Sequence, residues 1–245
     1  MQARHEVLKW LTVIVLSGSS LGWAIENEDS DVDPWEPFNR KIFEFNDSLD
    51  AYFLKPLASG YRYVTPDLVD KSVTNVFNNL DDVNTVANSL LQLKAGKAMW
   101  STSRVMFNST FGVFGVFDVA TDFGIERSPE DLGQTLAYWG VPQGNYLMLP
   151  FLGPSTVRDG TARLVETFSL DPLTLVVDNT PTAATLRALK LVDLRADLIP
   201  REGLIIGDKY SFVRSTYLQY REFLINDGQV ADPFAREDES YLDSF

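Results

Sequence analysis

The chain has 245 residues, 45% of them hydrophobic, which is enough for a sizeable core, and 34 acidic against 21 basic side chains give it a formal net charge of −13. That balance excludes the basic footprint that nucleic acid demands and simple electrostatic docking on anionic lipid, so any membrane attachment has to be apolar. Cysteine is absent and the single histidine is His5, so a mature chain without its leader has no disulfide, thiol nucleophile, Ser-His-Asp machine or ordinary zinc site.

Residues 1–24 read as a secretory signal: Arg4 and Lys9, with Glu6 between them, precede an apolar run from Trp10 to Leu16 and a small-x-small site at Gly22-Trp23-Ala24. Residues 25–33 form an acidic, mobile lead. Its Asp29-Ser30-Asp31-Val32-Asp33 spacing imitates the opening of a calcium loop, but Pro34 and Arg40 stand where such a loop needs Gly and Glu. No metal or cofactor is expected. A helix then starts around Pro37, with Phe38, Ile42, Phe45, Leu49 and Tyr52 recurring every four or three residues, and Lys55-Pro56 ends or bends it. A short helical piece to Tyr63 leads to the Val64-Thr65-Pro66 break. Two amphipathic helices follow, one from Asp67 to Leu80 and one from Val83 to Leu93, and a further helix runs from Lys97 to Phe111.

Arg104 to Asp118 is the most unusual stretch, because 13 uncharged residues between those ends carry Phe107, Phe111, Phe114 and Phe117 at steps of four, three and three, along one helical face. Spanning a membrane takes roughly 20 apolar residues, and Gly112 and Gly115 each weaken a helix by about 1 kcal/mol. The stretch is therefore either a core helix that breaks at its glycines or a segment lying within lipid. Beyond a polar connection, Leu132 to Trp139 makes a short helix. Gly140, Pro142, Gly144 and Asn145 then punctuate a small β-hairpin or loop around Tyr146-Leu147-Met148-Leu149. Ser155 or Thr156 caps a helix from Val157 to Phe168, residues 170–180 are an extended link, and Pro181 opens a helix to Ile199. The charges of that helix, Arg187, Lys190 and Arg195 with Asp193 and Asp197, suit a solvated face or a channel wall. The last helix runs from Lys209 to Asn226 with Gly228 as its C′ residue, and residues 229–245 form an acidic, disordered tail. The expected fold is mostly α: a single ring-like or compact domain of short amphipathic helices over residues 34–228, with one small β-hairpin or loop.

An ordered set of blocks resembles the MlaA/VacJ family. They are Asp33-Pro-Trp-Glu-Pro-Phe-Asn-Arg40, Phe45-Asn46, Val76-Phe-Asn-Asn-Leu80, Asn88-Ser-Leu-Leu-Gln92 and Arg104-Val-Met-Phe-Asn-Ser-Thr-Phe-Gly112. Asp131-Leu-Gly-Gln-Thr-Leu136, Tyr146-Leu-Met-Leu-Pro150 and Gly153-Pro-Ser-Thr-Val-Arg-Asp159 continue the series. The resemblance implies an outer-membrane component of the system that maintains lipid asymmetry, sitting beside a trimeric porin. In that family an amphipathic channel takes misplaced phospholipids from the outer leaflet and passes them to a periplasmic carrier resembling MlaC. No covalent chemistry is needed, which agrees with the missing His and Cys.

On this reading Phe107, Phe111, Gly112, Phe114, Gly115 and Phe117 contact acyl chains or seal the channel, and Tyr146, Leu147, Leu149 and Phe151 form a loop near its opening. Ser155, Thr156 and Arg158 meet a headgroup phosphate at a helix N-terminus, or else form a plain cap with an Arg158–carboxylate pair. Arg62, Tyr63 and Pro66 face the porin. Many family members are lipoproteins with a cysteine directly after the signal, whereas Leu21-Gly22-Trp23-Ala24-Ile25 offers none, so by sequence the chain is not a lipoprotein and embedded helices have to hold it. Two rivals are a structural envelope protein that binds a porin without moving lipid, and an exported hydrolase using Asp118 with Asp122 or Asp159 with Glu166.

Overall fold

A computed structural model describes residues 33–167, 171–177, 179–205 and 207–229. The expected signal, nearly all of the acidic lead and the tail after residue 229 lie outside the described residues.

Helix α1 (Glu36–Leu49), with Pro37 in its first turn, passes through a π-helical turn (Asp50–Leu54) directly into α2 (Lys55–Val64). Pro56 thus neither ends nor sharply breaks the run. It lacks an N–H and its ring crowds the carbonyl four residues back, and the wider turn before it absorbs both defects. Thr65 and Pro66 are extended and stop α2.

Where two helices were expected, residues Asp67–Leu91 form one, α3. Asp81 and Asp82 do not break it, since each is bound by cations of other elements: Asp81 by Lys190, and Asp82 by Arg104 and Arg127. Leu93, at a φ of 58°, turns the chain into α4 (Ala95–Thr110), which packs back along α3. A short helix α5 (Val119–Asp122) is capped by Asp118, and α6 (Leu132–Tyr138) is capped by Asp131, whose side chain accepts from Gln134 N at 2.8 Å.

Strands β1 (Tyr146–Leu149) and β2 (Gly153–Thr156) pair antiparallel, from Tyr146 opposite Thr156 to Leu149 opposite Gly153. Two asparagines seven residues apart on α1 hold this hairpin. Asn39 donates to the Tyr146 carbonyl at 3.2 Å and accepts from Met148 N at 2.9 Å; Asn46 does the same with Leu149 O and Phe151 N, both at 2.9 Å. Thr156 caps α7 (Val157–Val165) through Asp159 N. The expected extended link contains a helical turn, α8 (Leu173–Val176), then α9 (Thr180–Leu198) continues as a 3₁₀ stretch (Ile199–Leu204). Helix α10 (Lys209–Ile225) is capped by Asp208, and Asp227 and Gly228 both take left-handed φ after it. The described residues are therefore mostly helical with one small two-stranded sheet, as expected.

Packing departs from an ordinary soluble protein. Among the described residues the buried apolar clusters are small: Ala58, Val192 and Ala196 between α2 and α9, and Tyr146, Met148 and Tyr210 between the hairpin and α10. Polar side chains fill much of the rest. Asp82, Thr85, Ser89 and Gln92 follow one another at steps of three and four along α3 and are buried, as are Ser101, Arg104 and Asn108 on α4. Large apolar side chains stand outside instead, among them Phe38, Tyr52, Phe53, Leu57, Leu68 and Trp100. Of the apolar stripe that begins on α1, Phe38, Phe45 and Tyr52 are exposed.

Candidate functional site

The polar side of α3 opens onto a cavity of about 500 Å³, closed by the connection before α6, the hairpin, α7 and α10. Its two walls differ in chemistry. Leu152, Pro154, Tyr220 and Leu224 supply an apolar side, while Arg127, Glu130, Asp131, Arg163, Glu166 and Arg221 supply a charged one. Asp131, Glu166 and Arg221 also line a smaller recess of about 90 Å³ that reaches Ser155 and Asp159. Asp81, Asn84 and Glu166 are shared with a third hollow of about 230 Å³, whose further lining includes Phe77, Pro172, Arg187 and Lys190. Glu166 lines all three.

One cluster holds the charged wall in place. Arg221 donates to Asp131 at 2.5 Å and to Asp159 at 2.9 Å, and Asp159 also binds Arg158 at 2.9 Å and Tyr217 Oη at 3.1 Å. Gly133 lies beneath it, where a Cβ would come within 2.6 Å of Asp159 Oδ1 and 2.7 Å of Arg221 Nη2. Burial works to raise Asp131, yet the Arg221 guanidinium outweighs it and holds that carboxyl below its usual range. Burial and the Asp159 charge push Tyr217 up to about 12. Glu166, unlike Asp131, is raised: burial lifts its pKa against hydrogen bonds from Leu132 N and Asn88.

The expected site residues divide between this cavity and the outer surface. Helix α4 stops at Thr110, so Phe111, Phe114 and Phe117 do not continue a helical face; residues 111–117 form a tight turn, with Val113, Phe114 and Gly115 at left-handed φ. The helix thus ends just before its glycines, and the aromatic stretch continues as a turn rather than as a helical face. Phe107 is half-buried, but Phe111 and Phe114 are 70% and 83% exposed, held out by a turn built on buried Gly112 and Gly115. Tyr146 is buried in the core, Leu147 and Leu149 are half-buried, and Phe151 is exposed at the hairpin tip, next to the cavity-lining Leu152 and Pro154. Ser155, Thr156 and Arg158 are turned inward, with Thr156 capping α7 and Arg158 paired to Asp159, which is the cap arrangement weighed from sequence. Arg62, Tyr63 and Pro66 are exposed at the end of α2, Tyr63 by 91%.

On α9, Arg187 and Lys190 line the third hollow and pair with Asp171 and Asp81. Asp193 is buried and accepts from Tyr61 and Thr74. Two of the four carboxylates of the hydrolase rival are held by arginines: Asp118 by Arg104, with Asn108 and Thr121 beside it, and Asp159 as above. Arg163 and Arg127 went unnoticed in the sequence, and Tyr220 and Leu224 read only as apolar positions of the last helix. Arg163 and Glu166, three apart on the expected helix 157–168, were the one local pattern that would have flagged the wall.

A family model described as MlaA lipoprotein matches residues 31–224. The chain belongs to the MlaA family. The MlaA of Escherichia coli K12, named an intermembrane phospholipid transport system lipoprotein, is 30% identical over 94% of this chain and 92% of its own. The Haemophilus influenzae MlaA of the same name is 29% identical over 91% and 92%. An uncharacterized Rickettsia felis protein is 37% identical over 78% of this chain and 76% of its own. A solved structure reported as "Structural basis for maintenance of bacterial outer membrane lipid asymmetry" superposes with a TM-score of 0.70 at 30% identity, over 79% of this chain and 99% of that one. One expectation is corrected by these names. The missing cysteine after Ala24 led to the reading that the chain is not a lipoprotein, whereas the MlaA family and the relatives from E. coli, Shigella flexneri and H. influenzae are described as lipoproteins.

Proposed function

We propose that the protein is an outer-membrane component of a phospholipid transport system that keeps the two leaflets asymmetric. The two-faced cavity between α3, α7, α10 and the hairpin serves as the lipid passage. The observation that carries this reading is the reversal of ordinary packing: a polar, cavity-bearing interior beneath an outer surface rich in Phe, Trp and Leu. In water that outer surface would be a large exposed apolar patch. In a membrane it is the favoured boundary, and no described helix is long and apolar enough to cross on its own. A phospholipid is itself two-faced, so its acyl chains suit the wall of Leu152, Pro154, Tyr220 and Leu224 while its headgroup suits the charged wall.

Family membership supports the same reading, since the E. coli relative carries intermembrane phospholipid transport in its name. In this scheme Phe111, Phe114 and Phe117 contact acyl chains of the leaflet, and the hairpin tip at Phe151 borders the opening. Arg62, Tyr63 and Pro66 offer a surface for a trimeric porin, and a soluble periplasmic carrier resembling MlaC receives the lipid. The work is transfer without bond-making. Expression of the full chain in a Gram-negative host, envelope fractionation and mass spectrometry of lipid bound to the purified protein test it. Outer-membrane recovery with bound phospholipid is expected; outer-membrane recovery with a porin and no lipid would favour a purely structural role.

A further inference from the structure

Charge pairing around the cavity is nearly complete, and the exceptions are neighbours. Asp81 is shared by Lys190 and Arg127, Glu130 by Lys97 and Lys94, and Arg221 links Asp131 to Asp159. Two charged side chains of the wall form no ion pair among the described residues. Arg163 donates to the Leu152 carbonyl at 3.0 Å, and Glu166 Oε1 accepts from Leu132 N at 2.7 Å and Asn88 Nδ2 at 3.3 Å. They stand three positions apart in helical backbone, a spacing that brings Cβ atoms within about 5–6 Å, and both line the same two recesses. They do not pair with each other. The cavity thus presents a guanidinium and a carboxylate side by side, neither of them in an ion pair among the described residues.

We propose that Arg163 and Glu166 form a clamp for a zwitterionic headgroup, making the cavity prefer phospholipids that carry a primary amine. This rests on the lipid-passage reading above. The Arg163 fork takes the phosphate, for which its planar donors are suited. Glu166 takes the ammonium at the far end of the short ethanolamine link. A half-buried carboxylate without a cation is costly, and an incoming ammonium offsets that cost, whereas a glycerol headgroup brings only neutral hydroxyls. Burial, helped by the Asp131 charge, raises Glu166 against the pull of Arg221, so an added cation beside it is favoured.

Full-length protein in detergent, equilibrated with micelles holding equal phosphatidylethanolamine and phosphatidylglycerol of matched acyl chains and then re-isolated for mass spectrometry, tests the clamp. Enrichment of phosphatidylethanolamine by about fivefold is expected, equivalent to about 1 kcal/mol. Glu166→Gln is expected to return the ratio to that supplied, and Arg163→Gln to lower both lipids together. Wild-type protein that binds both lipids at the supplied ratio overturns the clamp and leaves the passage standing; wild-type protein that binds neither overturns both. Should a variant unfold, the wild-type protein decides with N-acetylated phosphatidylethanolamine, which has lost its positive charge. Loss of enrichment for that lipid supports the clamp, and retained enrichment overturns it.

Discussion

Arg104 is 1% exposed, and its guanidinium is used at every corner: Asp82 at 3.0 Å, Asp118 at 3.0 Å, Thr121 Oγ1 at 3.0 Å and the Ile125 carbonyl. A buried cation this well surrounded joins α3, α4 and the connection after α5. From sequence Arg104 was legible only as the charged end of an apolar stretch, because its partners lie 14 to 22 positions away and nothing local announces them. Breaking such a pair from one side leaves a buried charge uncompensated, at about 3–5 kcal/mol. Arg127 still holds Asp82 from the other side, so Arg104→Gln is expected at the low end, about 3 kcal/mol. A matching fall in the urea midpoint of the detergent-solubilised protein is the measurement, and an unchanged midpoint would mean the network is ornamental.

Among the elements, the 111–117 turn shows how far periodicity carries. The phenylalanine spacing leads to Phe111, Phe114 and Phe117, all three exposed, yet the glycines decide the backbone. A Cβ on Gly112 would lie 2.1 Å from the Phe117 carbonyl, and one on Gly115, at a φ of 91°, would lie 2.8 Å from Asn79 Cβ. Asn75 of α3 bolts the turn down through the Val116 carbonyl, and Asn79 binds Ser109 at the end of α4 just before it. Gly112→Ala therefore forces backbone apart and is expected to cost about 3 kcal/mol. Phe114→Gly has the opposite sign: it relieves a left-handed residue whose side chain packs on little, and is expected to raise stability by about 1 kcal/mol. Thermal melts of the two variants should move in opposite directions. The helices themselves were legible from their apolar steps, but the unity of α3 was not, since two adjacent aspartates look like a solvated break until the arginines that bind them are placed.

For the whole molecule, what the sequence hid was orientation. An apolar stripe has the same spacing whether it faces a core or a lipid, so Phe38 and Tyr52 could not be assigned a side from their own positions. The complementary stripe was the better clue: Asp82, Thr85, Ser89 and Gln92 repeat on α3 with the period of a buried face. The cavity was illegible for a different reason, because its walls come from segments more than a hundred residues apart in sequence, as Asp81 and Leu224 illustrate. An apolar outer surface on a chain of net charge −13 predicts membrane binding that salt does not weaken. Flotation with neutral phosphatidylcholine vesicles should recover the wild type at low and high salt alike. Replacing Phe111 and Phe114 by Ser should weaken partitioning at least about tenfold per side chain. Binding that vanishes with added salt would show attachment to be ionic.

The two asparagines of α1 that bracket the hairpin act as a stand-in third strand, and their partners lie 107 and 103 positions downstream. A ribosome therefore delivers the helix long before the edge it completes. Once Tyr146 to Phe151 arrives, Asn39 and Asn46 occupy hydrogen-bonding groups on which a foreign strand would otherwise grow. The hairpin is closed off from the sticky pairing of unfinished sheets by the segment that has waited longest for it.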